Sequence, residues 1–197
     1  MLYRKAEGII AMGKAFVIGI AGGSASGKST FAKNLQDALC GLEVLTLNMD
    51  AYFKAPEERQ IVNAPITGKP YRDDNHPSSF DLPKLKHDLD EILIDGHTQI
   101  VIIEGLLTLW DDEIYNKLDL RLFIDCQADE RIVRRLRRNM KRGLTFDEIT
   151  DVYLDFVRYR HDEYVAPTKW RADLIINGSN SFDNAIKIIT CYVKGII

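Results

Sequence analysis

The residues with the clearest chemical meaning form a glycine-rich loop near the start of the chain. The stretch from Gly22 to Ser29 matches G-x-x-x-x-G-K-[ST], a loop that cradles nucleotide phosphates. Gly22 and Gly27 let the backbone turn inward without a clashing Cβ, so that successive N–H groups point at phosphate oxygens. The sequence therefore predicts a nucleoside triphosphate site. Its predicted phosphate-binding residues are Gly22, Gly23, Ser24, Ala25, Ser26, Gly27, Lys28, Ser29 and Thr30.

The neighbours of this loop have the pattern that such a site requires. The stretch 15–21 is a nearly continuous apolar run, typical of a buried parallel strand, and apolar residues at helical spacing follow Lys28. The order strand, loop, helix places the positive end of a helix next to the phosphates. We expect Lys28 to contact the outer phosphates and act in catalysis, and the Ser29 hydroxyl to bind Mg²⁺.

Two carboxylates follow two other apolar runs. Asp50 comes shortly after the run 44–47, and Glu104 ends the run 100–103. Because α/β sheets carry their chemistry at the carboxyl ends of strands, both side chains are predicted near the phosphate loop. Asp50 is predicted to accept the proton of an attacking hydroxyl and to contact Mg²⁺, and Glu104 to be a Mg²⁺-linked acid. The alternatives are a turn cap for Asp50 and chance placement at a strand end for Glu104.

The segment from Lys54 to Phe80 shows no periodic pattern, and prolines interrupt it repeatedly. A connection of this length without regular structure is typical of a functional loop or of disorder. Its second half offers stacking faces and hydrogen-bond donors to a polar substrate, namely Tyr71, Arg72, His76 and Phe80. An ordinary solvated loop explains the same composition equally well.

The most informative helix is predicted after an apolar run at 120–124. The apolar residues Ile132, Val133, Leu136 and Met140 lie on one side of it, so the helix is expected to dock by that side. Guanidinium groups on the other side would bind phosphate oxygens and stabilise charge on a transferring phosphoryl group; the alternative is a solvated basic face. The arginines that fall on this narrow arc are Arg131, Arg134, Arg135, Arg138 and Arg142.

Composition limits the classes of partner. The chain of 197 residues has a net charge of −3, so no global charge favours nucleic acid or a membrane surface. No apolar run is long enough to span a bilayer, and three widely spaced cysteines indicate reduced thiols in a cytoplasmic protein. The predicted partner is a small-molecule hydroxyl acceptor, and homo-oligomerisation stays open. We expect residues 1–12 to be an N-terminal extension and 13–197 to form a single kinase domain.

Alternating strands and helices define the predicted architecture. A capping box at Thr145 to Glu148 begins a helix through about Tyr164, and the run 174–176 completes a set of five strands. We predict the α/β class: a three-layer α/β/α P-loop NTPase fold with a mostly parallel five-stranded sheet and a helical lid.

These motifs together resemble the uridine kinase/phosphoribulokinase family of P-loop kinases, over almost all of the chain after Met12. Beyond the phosphate loop, the similarity rests on Asp50-Ala51-Tyr52-Phe53, Asn75-His76-Pro77 with Phe80-Asp81, Ile103-Glu104-Gly105-Leu106-Leu107, the arginines Arg131, Arg134 and Arg135, and Pro167-Thr168-Lys169 with Ala172-Asp173. The resemblance implies ATP-dependent phosphorylation of a hydroxyl, with Asp50 as base and with Tyr52 and Phe53 beside the acceptor. It also implies a mobile lid, in which Arg131 and Arg135 act in catalysis and Arg134 binds the nucleotide. Arg138, on the same helical arc, is also expected to bind the nucleotide.

One departure from the family pattern concerns the acceptor. Nucleoside-phosphorylating members carry a β-hairpin between the helix after Phe80 and the strand that ends at Glu104, whereas here only 94–98 lie between them. The leading expectation is an ATP-dependent kinase of a uridine- or cytidine-like nucleoside. The alternative is a kinase of another small alcohol, such as nicotinamide riboside, pantothenate, a sugar phosphate or glycerate.

Two other classes compete with this prediction. The motif N-K-x-D of switch GTPases occurs at 116–119, but it precedes a strand and no D-x-x-G lies upstream, so we interpret it as a helix end. A non-catalytic ATP-binding relative is disfavoured because Asp50, Glu104 and the arginines are all present.

Overall fold

The computed structural model describes residues 14–197, and its centre is one parallel β-sheet. The strands are β1 (Phe16–Gly22), β2 (Val44–Asn48), β3 (Ile61–Asn63), β4 (Pro70–Arg72), β5 (Ile100–Glu104), β6 (Leu120–Asp125) and β7 (Leu174–Asn177). The central sheet has the order β2-β5-β1-β6-β7, and all its neighbouring strands pair in parallel. The predicted five-stranded sheet is confirmed. The extension predicted at residues 1–12 lies outside the described residues.

Helices cover both faces of this sheet. They are α1 (Lys28–Ala38), α2 (Leu82–Asp95), α3 (Asp112–Lys117), α4 (Ala128–Met140), α5 (Phe146–Val152), α6 (Arg158–Arg160) and α7 (Asp183–Lys194). One buried cluster packs α1 and α7 on the sheet through residues such as Phe31 and Ile189. A second cluster packs α2 and α3 on the other face through Leu85 and Ile114, which gives the predicted three layers. Within residues 14–197, no helix is long and apolar enough to cross a membrane.

The sheet register brings three strand ends to one edge. Ile20 of β1 lies opposite Glu104 of β5, and Asn48 of β2 lies opposite the same Glu104. Because the three strands run in the same direction, the loops that leave them are neighbours. The phosphate loop, the turn that carries Asp50 and the end of β5 therefore meet at one place.

The prediction that the segment from Lys54 to Phe80 lacks regular structure is wrong in its middle. β3 and β4 form an antiparallel hairpin there, in which Val62 lies opposite Tyr71. Each strand has only 3 residues, and the apolar Ile61 is 72% exposed, so the sequence shows no alternation between buried apolar and exposed polar positions.

The helix predicted from the capping box at Thr145 is confirmed. The Thr145 hydroxyl accepts a hydrogen bond from the N–H of Glu148, and the Glu148 carboxylate accepts one from the N–H of Thr145. One helical run then covers 146–165, but two of its turns, Tyr153–Val157 and His161–Val165, are π-helical. The sequence does not predict these π turns, which occur frequently at functional sites. We call this run the 146–165 helix.

Candidate active site

The phosphate loop has the backbone conformation that its glycines allow. Gly22 and Gly27 have φ values of 152° and 102°, and Ala25 is the one non-glycine residue in the described part of the chain with a positive φ, 63°. A Cβ on Gly22 would lie 2.6 Å from the carbonyl oxygen of Ile124, so a larger residue has no room. Left-handed backbone at a residue such as Ala25 is strained, a feature that clusters at ligand-binding loops.

The helix α1 begins at Lys28, directly after the loop, as predicted. Lys28 is buried, and burial lowers its pKa below the usual lysine value, while the carboxylates of Glu104 and Asp50 oppose this change. The structure thus places an amine and two carboxylates together at the end of the phosphate loop. A phosphate anion bound there would favour the charged form of the amine.

A candidate Mg²⁺ site lies beside Ser29. Its hydroxyl donates a hydrogen bond of 2.9 Å to Oε1 of the buried Glu104. Burial raises the pKa of Glu104, an effect that Lys28 and Ser29 oppose, and Oε2 of the same carboxylate has no hydrogen-bond partner. Mg²⁺ takes oxygen ligands, and an unpartnered carboxylate oxygen next to a hydroxyl and close to Asp50 is a set of donors that fits this ion.

Asp50 lies on a single 3₁₀ turn, Met49–Tyr52, directly after β2. Its N–H donates a hydrogen bond of 2.8 Å to Oδ1 of Asn48, and the residue is exposed. The turn approaches the end of β5 closely because Gly105 has no side chain: a Cβ there would lie 2.3 Å from the Cβ of Met49. The glycine that follows β5 therefore allows the Asp50 turn to pack beside the phosphate loop.

The lid helix α4 does not dock by its apolar side alone. Val133 and Met140 are 43% and 51% exposed, Ile132 and Leu136 are half-buried, and Arg131 is buried. The predicted docking by the apolar side is therefore wrong for half of that side, and the arginine side faces the phosphate loop. The physical reason is that backbone carbonyls and a serine hydroxyl around the loop accept hydrogen bonds from the guanidinium groups, so these groups can leave water.

Two lid arginines converge on one residue of the loop. Nη1 of Arg135 and Nη2 of Arg138 both donate to the Ser24 hydroxyl, over 3.4 and 3.3 Å. Burial and then the charge of Arg138 lower the pKa of Arg135, and Tyr153 and Asp74 oppose this change. The two cations lie where a phosphate above the loop would receive their remaining hydrogen bonds.

Two further lid arginines contact the backbone around the loop. The guanidinium of Arg131 lies over Gly23, where a Cβ would be 2.5 Å from Nη1, so a side chain at this position would displace the guanidinium. Arg134 donates a hydrogen bond of 2.9 Å to the carbonyl of Gly178, directly after β7. Four of the five predicted arginines thus lie around the phosphate loop, whereas Arg142 is exposed beyond the end of α4.

A cavity of about 500 Å³ opens next to Lys28, between α1, α4 and the segment that follows β7. Gly178, Asn180 and Phe182 line it from that segment, and Arg134 lines it from the lid. Residues 178–182 are not predicted to belong to a site, because their sequence is that of an ordinary turn. The signal that could have found them is their position at the carboxyl end of a parallel strand.

The acceptor side of the candidate site begins at Phe53. Its ring stacks on Phe80 with centroids 4.3 Å apart, and the guanidinium carbon of Arg59 lies 4.5 Å from the Phe53 centroid. Arg59 also forms an ion pair of 3.0 Å with Asp74. The negative charge of Asp74 opposes the lowering of the Arg135 pKa. Arg59 and Asp74 were not predicted as site residues, because both lie in the segment from Lys54 to Phe80, where the sequence shows no periodic pattern.

Some residues predicted to bind the acceptor make contacts within the chain instead. The Tyr52 hydroxyl donates a hydrogen bond of 2.9 Å to Asp88, and burial together with this bond raises the Tyr52 pKa to about 12. The Tyr71 hydroxyl donates a hydrogen bond of 2.9 Å to Asp155, and its ring stacks on Phe156. These hydroxyl groups bond to neighbouring elements, so both tyrosines fix the shape of the segment 52–80, which we call the acceptor segment.

His76 and Arg72 complete the predicted acceptor set. Nδ1 of His76 accepts a hydrogen bond of 3.0 Å from the N–H of Ser78, and the ring meets Tyr164 edge-on with centroids 5.0 Å apart. Arg72 is exposed on β4, opposite Ile61. The structure therefore holds His76 against the 146–165 helix and leaves Arg72 toward solvent.

A titratable residue next to the phosphate loop, His161, was not predicted from the sequence. Cε1 of His161, on the second π turn, would lie 3.0 Å from a Cβ on Gly23. Burial and then the charge of Arg131 lower the pKa of His161 to about 4, although Asp162 and Asp125 oppose this change. The imidazole is therefore neutral near pH 7.

Acid is expected to destabilise the fold through His161. Above pH 6.5 the imidazole is neutral in both the folded and the unfolded chain, but between pH 6.5 and 4 only the unfolded chain takes up this proton. The free energy of unfolding should fall by about 1.4 kcal/mol per pH unit, about 3 kcal/mol in all, from this group. When the free energy of unfolding is measured with urea at several pH values, it should fall more steeply with decreasing pH for the wild type than for His161→Phe. Equal slopes in the two proteins would exclude this source of acid sensitivity.

A phosphate loop on an α/β/α sheet, covered by a lid with arginines, defines a P-loop kinase, and comparison with known proteins gives its family. The family model described as the phosphoribulokinase/uridine kinase family matches residues 72–184. A uridine kinase from Deinococcus deserti is 33% identical over 92% of this chain and 97% of its own length. A uridine kinase from Geobacillus kaustophilus is 32% identical over 93% of this chain and 96% of its own length. The chain belongs to the phosphoribulokinase/uridine kinase family, and it is a kinase that transfers phosphate to a hydroxyl group, with ATP implied as co-substrate.

Solved structures agree on the fold. Phosphoribulokinase from Rhodobacter spheroides superposes with a TM-score of 0.60 at 17% identity, covering 85% of this chain and 73% of that chain. A structure described as a possible uridine kinase from Bacillus stearothermophilus has a TM-score of 0.53 at 18% identity, covering 86% of this chain and 92% of that chain. Identities this low bear on the fold alone. The predicted P-loop NTPase fold is confirmed.

Proposed function

We propose that this kinase transfers the γ-phosphoryl group of ATP to a hydroxyl of a nucleoside related to uridine or cytidine. The observation that carries the proposal is that Lys28, Asp50 and Arg138 meet at one sheet edge, from the phosphate loop, the turn after β2 and the lid, with Arg135 beside Arg138 on the Ser24 hydroxyl. Together they supply a phosphate cradle, a proton acceptor for a hydroxyl and a cation for the transferring group.

ATP would bind with its phosphates along the loop and its base in the neighbouring cavity. The loop N–H groups and Lys28 bind the phosphate oxygens, and the cavity lined by Arg134 and Phe182 receives the adenine. Ser29, Glu104 and Asp50 would hold Mg²⁺, which when bound neutralises charge on the phosphates.

In the transfer step Asp50 accepts the proton of the acceptor hydroxyl while the oxygen of that hydroxyl attacks the γ-phosphorus. The new bond joins that oxygen to phosphorus, and the bond from phosphorus to the oxygen of ADP breaks. Arg135 and Arg138 stabilise the charge on the phosphoryl group as it passes between the two oxygens. Positioning and charge stabilisation contribute most of the acceleration, and the base contributes less.

The relatives named uridine kinase, which align over nearly the whole chain, support a nucleoside as acceptor. The half-buried ring of Phe53 offers an aromatic contact on this side, and Arg59 and Asp74 offer polar contacts. Phe80, predicted to contact the acceptor, is buried beneath Phe53. A different small alcohol is the second candidate. It is favoured by the short connection 96–99 between α2 and β5, which has no room for the base-binding hairpin of nucleoside kinases.

The acceptor is tested by ADP release from Mg-ATP with uridine, cytidine, nicotinamide riboside, pantothenate, ribulose 5-phosphate and glycerate. We expect uridine or cytidine to stimulate release well above the rate with ATP alone. Stimulation by a non-nucleoside only would contradict the nucleoside assignment and leave the kinase assignment standing. Omission of Mg²⁺ should abolish the stimulated rate.

A further inference from the structure

A buried ion pair joins the acceptor segment to the 146–165 helix. Asp73 is fully buried, and its Oδ2 lies 2.7 Å from Nε of Arg160. Oδ1 of the same carboxylate accepts hydrogen bonds from the N–H groups of Asn75 and His76, over 3.1 and 3.0 Å. One aspartate therefore shapes the loop 73–76 and ties it to the helix.

Arg160 is held firmly on its side of the pair. Its side chain is 17% exposed, and its guanidinium carbon lies 5.1 Å from the ring centroid of Phe156 and 5.7 Å from that of Tyr164. Nη1 of Arg160 also lies 2.5 Å from Glu163. The guanidinium therefore lies among two aromatic faces and two carboxylates.

Hydrogen bonds lead from this pair to the turn that carries Asp50. The Ser79 hydroxyl donates to the carbonyl oxygen of Asp73. The Ser79 carbonyl accepts a hydrogen bond of 3.0 Å from the N–H of Lys54, shortly after Asp50 in the chain. Displacement of Asp73 would therefore be transmitted to the proposed base through few intervening bonds.

The hairpin β3–β4 adds contacts to the same helix. The hydroxyls of Thr67 and Tyr71 both donate to Oδ2 of Asp155, over 3.0 and 2.9 Å, and Lys69 lies 3.8 Å from Asp151. The 146–165 helix directly follows the lid α4 in the chain, and α4 packs against its first turns. The acceptor segment and the lid are thus fastened to one helix.

We propose that Asp73 and Arg160 are positioning residues for phosphoryl transfer. Their ion pair fixes the acceptor segment, with Asp74 and the Asp50 turn, relative to the lid arginines. Neither residue needs to touch the reacting atoms, since a displacement of about 1 Å in the acceptor is enough to slow an in-line transfer strongly. This inference rests on the proposed function and adds to it the device that places the acceptor.

The test uses Asp73→Asn, Arg160→Met and the double variant. Arg160→Met leaves the buried charge of Asp73 without its cation and should lower the melting temperature by roughly 6–12 °C. Asp73→Asn leaves Arg160 paired with Glu163 alone and should lower it less, and the double variant should recover most of the larger loss. With uridine and Mg-ATP, all three should raise the KM for uridine about tenfold or more and the KM for ATP less than about twofold. If the double variant regains its melting temperature but keeps a raised KM for uridine, the defect comes from lost positioning and not from lost stability.

The chain offers a matched control pair in Lys86 and Asp111, which join α2 and α3. Asp111 accepts hydrogen bonds from two backbone N–H groups and pairs with Lys86 at 3.1 Å, and the two side chains are 12% and 19% exposed. The variants Lys86→Met and Asp111→Asn should change the melting temperature without changing either KM. A uridine KM that rises equally in the control pair, or that stays unchanged in the Asp73/Arg160 double variant, would overturn the inference.

Hydrogen–deuterium exchange keeps this test independent of the acceptor. If the wild type does not phosphorylate uridine, the nucleoside assignment fails, but the double variant should still exchange the amides of Asn75 and His76 faster than the wild type. The amides of α1 should exchange at the same rate in both proteins. Unchanged exchange at Asn75 and His76 would overturn the positioning role whatever the acceptor is.

Discussion

Replacement of Asp50 by Asn is expected to slow phosphoryl transfer by about 10²–10⁴-fold, because an amide cannot accept the proton of the attacking hydroxyl. The side chain keeps its size, and the hydrogen bond that fixes the turn uses the backbone N–H of Asp50 with Asn48, so the fold should persist. Transfer is measured with uridine and Mg-ATP, and ATP binding by calorimetry without Mg²⁺, where we expect no change.

Asp37→Asn is the matched control, since Asp37 is an exposed aspartate on α1 outside the candidate site. It should retain wild-type transfer and ATP binding. If Asp50→Asn and Asp37→Asn were equally active, Asp50 would not be the base. If Asp50→Asn lost metal-free ATP binding, the residue would belong to the nucleotide site and not to the acceptor side.

Removal of the Arg135 side chain should reduce kcat by about 10³-fold, the lower end of the range for an arginine that stabilises a transferring phosphoryl group. We expect the lower end because Arg138 reaches the same serine hydroxyl and remains in place. The KM for ATP should change much less than kcat, since Lys28 and the loop N–H groups bind the phosphates in the ground state. Steady-state kinetics of Arg135→Ala with Mg-ATP measure both quantities.

The same helix supplies the control for this experiment. Arg137 is exposed on α4, and Arg137→Ala removes an equal charge from the lid with an equal change in helix propensity. It should retain nearly full activity. Equal losses in the two variants would mean that the net charge of the lid matters and not the position of Arg135.

The phosphate loop, Asp50 and Glu104 could be predicted because each depends on a local pattern. A glycine motif between a strand and a helix, and a carboxylate after an apolar strand, constrain position through the direction of parallel strands alone. The structure places Lys28, Asp50 and Glu104 close enough at the predicted edge that Asp50 affects the pKa of both Lys28 and Glu104. Short-range sequence information suffices for this half of the candidate site.

The other half depends on contacts between distant segments, which no local pattern encodes. The arginine arc of α4 was correctly placed on one side of a helix, but its docking side follows from hydrogen-bond acceptors such as Ser24 and Gly178, supplied by other elements. The hairpin β3–β4 is too short to show a period, and it forms against Asp155 on the 146–165 helix. Nothing in the sequence distinguishes the buried Asp73 from other loop aspartates, because its partner Arg160 is far along the chain.

Transfer of label from [γ-³³P]ATP to uridine is the most direct test that this kinase phosphorylates a nucleoside hydroxyl with Asp50 as base. The variant Asp50→Asn is the negative control. We expect label in uridine monophosphate with the wild type, in proportion to the ADP formed, and almost none with the variant. Label that appears only in inorganic phosphate, or that reaches uridine equally with Asp50→Asn, would contradict a kinase that uses Asp50 to phosphorylate a nucleoside hydroxyl.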